Sequence, residues 1–213
     1  MNTTLRLSTL PAAVLALALF VTACGGPNDS GATQPGHDMG SMSTTPTPSA
    51  SSVGTPAAGA HNEADVTFAT AMIPHHAQAI AMADMATSKA TNAEVRDLAS
   101  TIKAAQAPEI AQMSGWLTGW GEPVPDPAGA SGMAMGDGMM SDAEMTKLHE
   151  ADGTAFDRMW LQMMIKHHQG AVAMAATEVK SGSNADAKNL AQSIMTSQKA
   201  EIVKMQQLET SVG

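Results

Sequence analysis

The 213-residue chain has no tyrosine, only three phenylalanines and three tryptophans, and a single cysteine. Strands of sandwiches and barrels draw on aromatic and β-branched side chains, so this poverty argues against an all-β fold and leaves an all-α domain as the simpler expectation. One cysteine excludes an intrachain disulfide. Positive charge is scarce as well: 11 Lys and Arg stand against 20 Asp and Glu, a formal net charge of −9. That is the wrong sign for nucleic acid, whose phosphates call for basic patches. An acidic surface favours solubility and a mild attraction for cations. Finally, no apolar run reaches the roughly 20 residues needed to span a bilayer; the longest, 10–21, is broken by Pro11.

That run follows a lone Arg6 and ends at Thr22-Ala23-Cys24, which reads as an export signal over residues 1–23. Val21-Thr-Ala-Cys-Gly25 resembles the lipobox of bacterial lipoproteins, where cleavage precedes a lipidated cysteine. Residues 24–60 are Gly, Pro, Ser, Thr and Ala without apolar periodicity, the composition of a flexible tether. The tether carries His37, Met39 and Met42, either weak metal-catching groups or solvated linker residues. With Cys24 lipidated, no thiolate remains, so any metal site must use His, Met and carboxylates.

The folded part spans 61–213. Asn62, with Glu63 and Asp65 behind it, predicts the start of a first helix, interrupted by a kink at Pro74. A break near Ala90 precedes Thr91-x-x-Glu94, the spacing of a capping box, and a second helix running to Gly119 or Gly121. A loop over 121–140 holds Met133, Met135, Met139 and Met140 among glycines; it reads equally as a metal collector or as flexible filler. Ser141-x-x-Glu144 begins a short helix. A long helix then runs from about Thr154 to Lys180, and Ser183 or Asn184 caps the last.

The strongest pattern is a repeat at a constant shift of 92 residues. Met72, Ile73, His75, His76, Ala79, Met82 and Ala83 recur as Met164, Ile165, His167, His168, Ala171, Met174 and Ala175. The same shift relates Asp65 to Asp157, Asn92 to Asn184, Gln106 to Gln198, Glu109 to Glu201 and Met113 to Met205. Repeat 1 covers about 62–119 and repeat 2 about 154–210. Each is a helical hairpin with one apolar stripe to bury, so two together predict a four-helix bundle with internal pseudo-twofold symmetry. If the first hairpin turns near residue 91, His76 lies level with Gln106, Glu109 with Ile73, and Met113 about a turn beyond His75; the second hairpin repeats this.

Each hairpin therefore gathers two imidazoles, thioethers and a carboxylate at one level. The candidate metal ligands are Met72, His75, His76, Met82, Glu109 and Met113 in the first repeat and Met164, His167, His168, Met174, Glu201 and Met205 in the second. Thioether and imidazole without thiolate suit Cu(I) or Ag(I). Methionine also fills irregular cores, and Gln-x-x-Glu serves equally as an orienting partner of imidazole N–H groups or an ordinary polar layer.

These motifs, Met-Ile-Pro-His-His-Ala-Gln-Ala-Ile-Ala-Met-Ala and Met-Ile-Lys-His-His-Gln-Gly-Ala-Val-Ala-Met-Ala, each followed by Gln-x-x-Glu-Ile-x-x-Met, resemble the DUF305 family over about 64–208. The resemblance implies a ferritin-like four-helix bundle and, for characterised members, exported copper or silver binding through His and Met. The expectation is an extracytoplasmic lipoprotein, not an enzyme, that binds copper, Cu(I) above all, for buffering, resistance or transfer. Its partners would be the membrane, through Cys24, and a copper donor or acceptor protein. The alternatives are a ferritin-like di-metal oxidase, disfavoured because no Glu-x-x-His occurs at either doublet, and a partner-binding envelope bundle without metal.

Overall fold

A computed structural model describes residues 59–127 and 138–212. The signal, most of the tether, and the loop methionines Met133 and Met135 lie outside them, as do Cys24, His37, Met39 and Met42. Within the described residues the chain forms five helices and no strand: α1 (Glu63–Lys89), α2 (Ala93–Trp120), α3 (Asp142–Glu150), α4 (Gly153–Ser181) and α5 (Ala185–Ser211).

Local chemistry accounts for the helix ends. The Asn62 side chain accepts the Ala64 and Asp65 N–H groups, and Asp65 returns the bond to the Asn62 N–H. Ser141 and Glu144 form the expected capping box of α3. The box expected at Thr91 does not form. Asn92 caps α2 through the Glu94 and Val95 N–H groups, because the Thr91 hydroxyl is drawn away to Asp157, 2.5 Å distant. Asn184 caps α5 as Asn92 caps α2. α2 closes on Gly121 in the left-handed region at φ 79°. Pro74 and Pro108 both lie inside continuous helices; Pro74 is buried on α1, where packing outweighs one lost hydrogen bond. Met140, expected in a loop, is buried, its backbone N–H and C=O both bonded to the Gln78 amide.

The hairpins α1/α2 and α4/α5 join chiefly through α1 against α4, which run antiparallel. Two carboxylates set their register. Asp157 of α4 accepts the Thr91 and Asn92 N–H groups at the first hairpin's turn, at 3.0 and 2.9 Å. Asp65 of α1 accepts the Ser183 and Asn184 N–H groups at the other turn, at 3.1 and 2.9 Å. Both are fully buried, and they are mates under the 92-residue shift. Burial alone would raise the Asp65 carboxyl. Donors from Asn62, Asn184, Glu178 and Ser183 outweigh it and hold the group at about 2.

The symmetry breaks beside Asp65. Glu178, whose counterpart in the first repeat is Ala86, is buried against it. Burial first, then hydrogen bonding and repulsion from Asp65, push Glu178 up to about 7, with Lys188 opposing. Gly182 makes room: a Cβ there would meet Glu178 Oε1 at 2.0 Å.

The core is two apolar clusters. Met82, Ile102, Phe156, Trp160, Leu161, Met164 and Met205 anchor one, at the end covered by α3; the Trp160 indole N–H donates to the Met82 carbonyl at 2.9 Å. Phe68, Met72, Ile73, Met113, Leu117 and Ile194 form the other. Both clusters draw on both hairpins, so neither hairpin has a private core.

Two stability predictions follow from these carboxylates. Asp157→Ala strands two buried N–H donors and should lower urea-unfolding stability by about 2–4 kcal/mol. Glu178 carries a raised acid pKa, so the folded state holds a proton that the unfolded chain releases near 4.5. Its contribution is fully present below that pH and is lost as pH rises to about 7. Relative to Glu178→Gln, the wild type should therefore lose on the order of 1–3 kcal/mol between pH 4.5 and 7 in denaturant titrations.

Candidate metal centre

Between the two apolar clusters lies a polar layer. His75, His76, Gln106, His167, His168 and Gln198 are all buried at its centre, each no more than 3% exposed. Helical periodicity and hairpin height bring them together, and the α1/α4 register completes the layer. His75 and His167, the first histidine of each doublet, touch at the pseudo-twofold axis with ring centroids 3.8 Å apart and planes inclined by 40°. The second histidines turn into their own hairpins. His76 Nε2 lies 2.8 Å from Glu109 Oε2, and His168 Nε2 lies 2.7 Å from Glu201 Oε2. The two doublets therefore belong to one continuous layer.

A carboxylate accepts and does not donate, so the hydrogen of each Glu–His contact sits on Nε2 and Nδ1 is the free position. Neither His76 Nδ1 nor His168 Nδ1 has a hydrogen-bond partner among the described residues; nor do both amide atoms of Gln106 and Oε1 of Gln198. Leaving a buried polar atom unsatisfied costs about 1–3 kcal/mol. Five such atoms in one layer amount to a large fraction of a domain's stability, a cost that a bound ligand would offset. His167 is pushed well below the ordinary imidazole range, first by burial and then by the neighbouring His75, His168 and His76. It is neutral at neutral pH and offers a lone pair.

The expected ligands divide by position. Met72 and Met113 are buried in the apolar cluster on one side of the layer, Met164 and Met205 in the cluster on the other. Met72 and Met164 stand three and four residues, about one turn, before the histidines of their own helices, whereas Met113 and Met205 stand seven residues, about two turns, past Gln106 and Gln198 on the facing helices. Glu109 and Glu201 spend an oxygen on imidazole N–H, the arrangement that orients a ligating histidine and increases its basicity. Met82 and Met174 stand seven residues, about two turns, from the first histidines. Met82 packs with Phe156 and Trp160, and Met174 lines a surface cleft with Phe68. Gln106 and Gln198 join the site at its centre; their matched places in the repeat were the signal. The contact of His75 with His167 had none, because it depends on the α1/α4 register.

Among the described residues no group of three or more His, Cys, Asp or Glu side chains is placed to hold a metal ion; imidazole and thioether, the side-chain types around the layer, are donors suited to Cu(I) or Ag(I).

Comparison with known proteins agrees with this chemistry. The family model described as a domain of unknown function, DUF305, matches residues 65–209. A candidate secreted DUF305 protein from Streptomyces coelicolor is 37% identical, with 70% of this chain and 94% of that one covered and a TM-score of 0.64. CopM in its Cu(II)-bound form is 38% identical over 69% of this chain and 96% of its own, TM-score 0.61. The Cu(I)-bound form gives 35%, the same coverages and 0.59, and CopM has also been solved with silver. No curated protein sequence matches the chain.

A depressed base pKa means that the folded state refuses a proton the unfolded chain accepts below about 6.5. Stability from His167 is thus present above 6.5 and lost as pH falls beneath it. Side-chain 15N spectra of the metal-free protein should show a neutral His167 ring at pH 6, with protonation only well below that.

Proposed function

The chain belongs to the DUF305 family, and we propose that it is a non-catalytic copper-binding protein that holds Cu(I), or Ag(I), in the histidine layer. The observation that carries this reading is the buried pair of His76 and His168, each with Nε2 committed to a glutamate and Nδ1 unsatisfied. His75 and His167 supply further imidazoles. Met72, Met113, Met164 and Met205 supply thioethers from either side. Solved copper- and silver-bound forms of CopM support metal binding in the family. A soft ion held by neutral donors exchanges without proton release, which suits buffering, resistance or transfer to a donor or acceptor protein. Sparse carboxylate at the layer supports a binding rather than an oxidase role.

We place the protein outside the cytoplasm, with residues 1–23 as signal, Cys24 lipidated and 24–60 as the tether to the membrane. Among the described residues no helix is long and apolar enough to cross a membrane, so attachment in this reading rests on the lipid.

Competition with a Cu(I) chelator under anaerobic conditions tests the proposal. The wild type should withdraw copper from the chelator, and the variant with His75, His76, His167 and His168 all changed to Ala should bind at least a hundredfold more weakly. Glu109→Gln, which keeps a hydrogen-bonding partner but removes the charge, should weaken binding by roughly tenfold. Equal copper retention by the quadruple variant would overturn the reading.

A further inference from the structure

The pseudo-twofold axis relates two grooves between α1 and α4, and only one of them is filled among the described residues. In the filled groove α3 lies across the helix pair. Leu148 is fully buried and Met145 packs beside it, at the i and i+3 spacing of one helix face. Met140 enters ahead of them, clamped by Gln78.

Shifting the residues beneath α3 by 92 gives the lining of the other groove, a cleft of about 400 Å³. Its floor is preserved in kind: Phe68 and Met174 stand where Trp160 and Met82 stand under α3. Its walls are not. Thr67, Ala71 and Thr177 replace Met159, Met163 and Met85, which pack against the α3 cluster. The loss of three methionine side chains, with Ala64 in place of Phe156, leaves this groove open among the described residues. Its charge differs too. Glu178 replaces Ala86 and Glu63 replaces Ala155, so one buried and one exposed carboxyl now line an otherwise apolar cleft. Asp65 adds a third carboxyl behind Glu178.

We propose that this cleft is a docking site for a short amphipathic helix of a partner protein, one that presents bulky apolar side chains at i and i+3 and a Lys or Arg to the exposed Glu63 on its rim. The shape argument comes from α3, which shows what the mated groove accepts. The charge argument comes from the substitutions: α3 itself, with Asp142, Glu144 and Glu150, would be repelled here, whereas a basic helix is attracted. Gly170 occupies the place of Gln78 and lies against the backbone of Gly138, so this end of the cleft carries no side-chain amide.

The test uses the full chain and two synthetic 13-residue probes. One has the sequence of residues 139–151; the other has the three acidic α3 residues replaced by Lys. Fluorescence anisotropy at pH 7 should show 1:1 binding of the basic probe, at least tenfold tighter than the acidic one. Ala71→Phe, which fills the cleft, should abolish binding. Thr67→Arg, on the exposed rim, should weaken the basic probe at least tenfold, and Glu63→Gln should narrow the difference between probes. Methyl shifts should fall on Met174 and leave Met82 and Met140 unmoved. The proposal is overturned by no binding of the basic probe, by equal affinity for both probes, by binding indifferent to Ala71→Phe and Thr67→Arg, or by shifts at Met82 and Met140, which would mean displacement of α3. Sedimentation in which the chain alone dimerises, and the dimer dissociates on Ala71→Phe, would give the cleft to a second copy and overturn it equally.

Discussion

Everything in this bundle depends on the register between α1 and α4, and two buried carboxylates set it. Asp65 and Asp157 each reach out of the first turns of one hairpin to accept backbone N–H groups at the turn of the other. These donors open helices α5 and α2, where the helix dipole also favours negative charge. A slip of one turn along α1 would break both contacts at once. With register fixed, His75 meets His167, Met82 meets Trp160, and the polar layer falls between two apolar clusters rather than inside one.

Placing the layer there has an energetic logic. Imidazole, amide and carboxylate groups with incomplete hydrogen bonding are costly in an apolar interior. The bundle concentrates that cost at its midpoint and recovers stability from the clusters on either side. Methionines bridge the two environments. Met72, Met113, Met164 and Met205 are core to the clusters, so the donor role proposed for them would be added to a packing role. A thioether that is already desolvated and held in place loses little freedom on meeting a soft ion.

Much of this was legible in the sequence because it was written twice. A constant shift over both hairpins predicts the bundle and its symmetry, and counting residues from the turn sets Gln106 level with His76 and Glu109 within a turn of it, close enough for the contact that forms. Asn62, Ser141 and Asn184 announced their helix ends by residue type alone. What escaped depends on contacts between distant segments. Thr91 looked like a cap, but Asp157, 66 residues away, claims its hydroxyl. Met140 looked like loop, and Gln78 holds it in the core.

The departures from the repeat are as informative as the repeat. A duplicated hairpin that drifted freely would lose symmetry most at exposed sites, yet here several differences collect on one face. Trp160 and the methionines of the α3 groove become Phe68, Thr67, Ala71 and Thr177; Ala86 and Ala90 become Glu178 and Gly182. The last two changes make sense only together, because a side chain at 182 would collide with the Glu178 carboxyl. Meanwhile the layer keeps both His doublets, both glutamines and both glutamates. Symmetry is thus maintained where the two halves share one buried polar layer and abandoned where the faces differ: one is covered by α3, and the other, among the described residues, leaves a cleft bordered by Glu63 and Glu178.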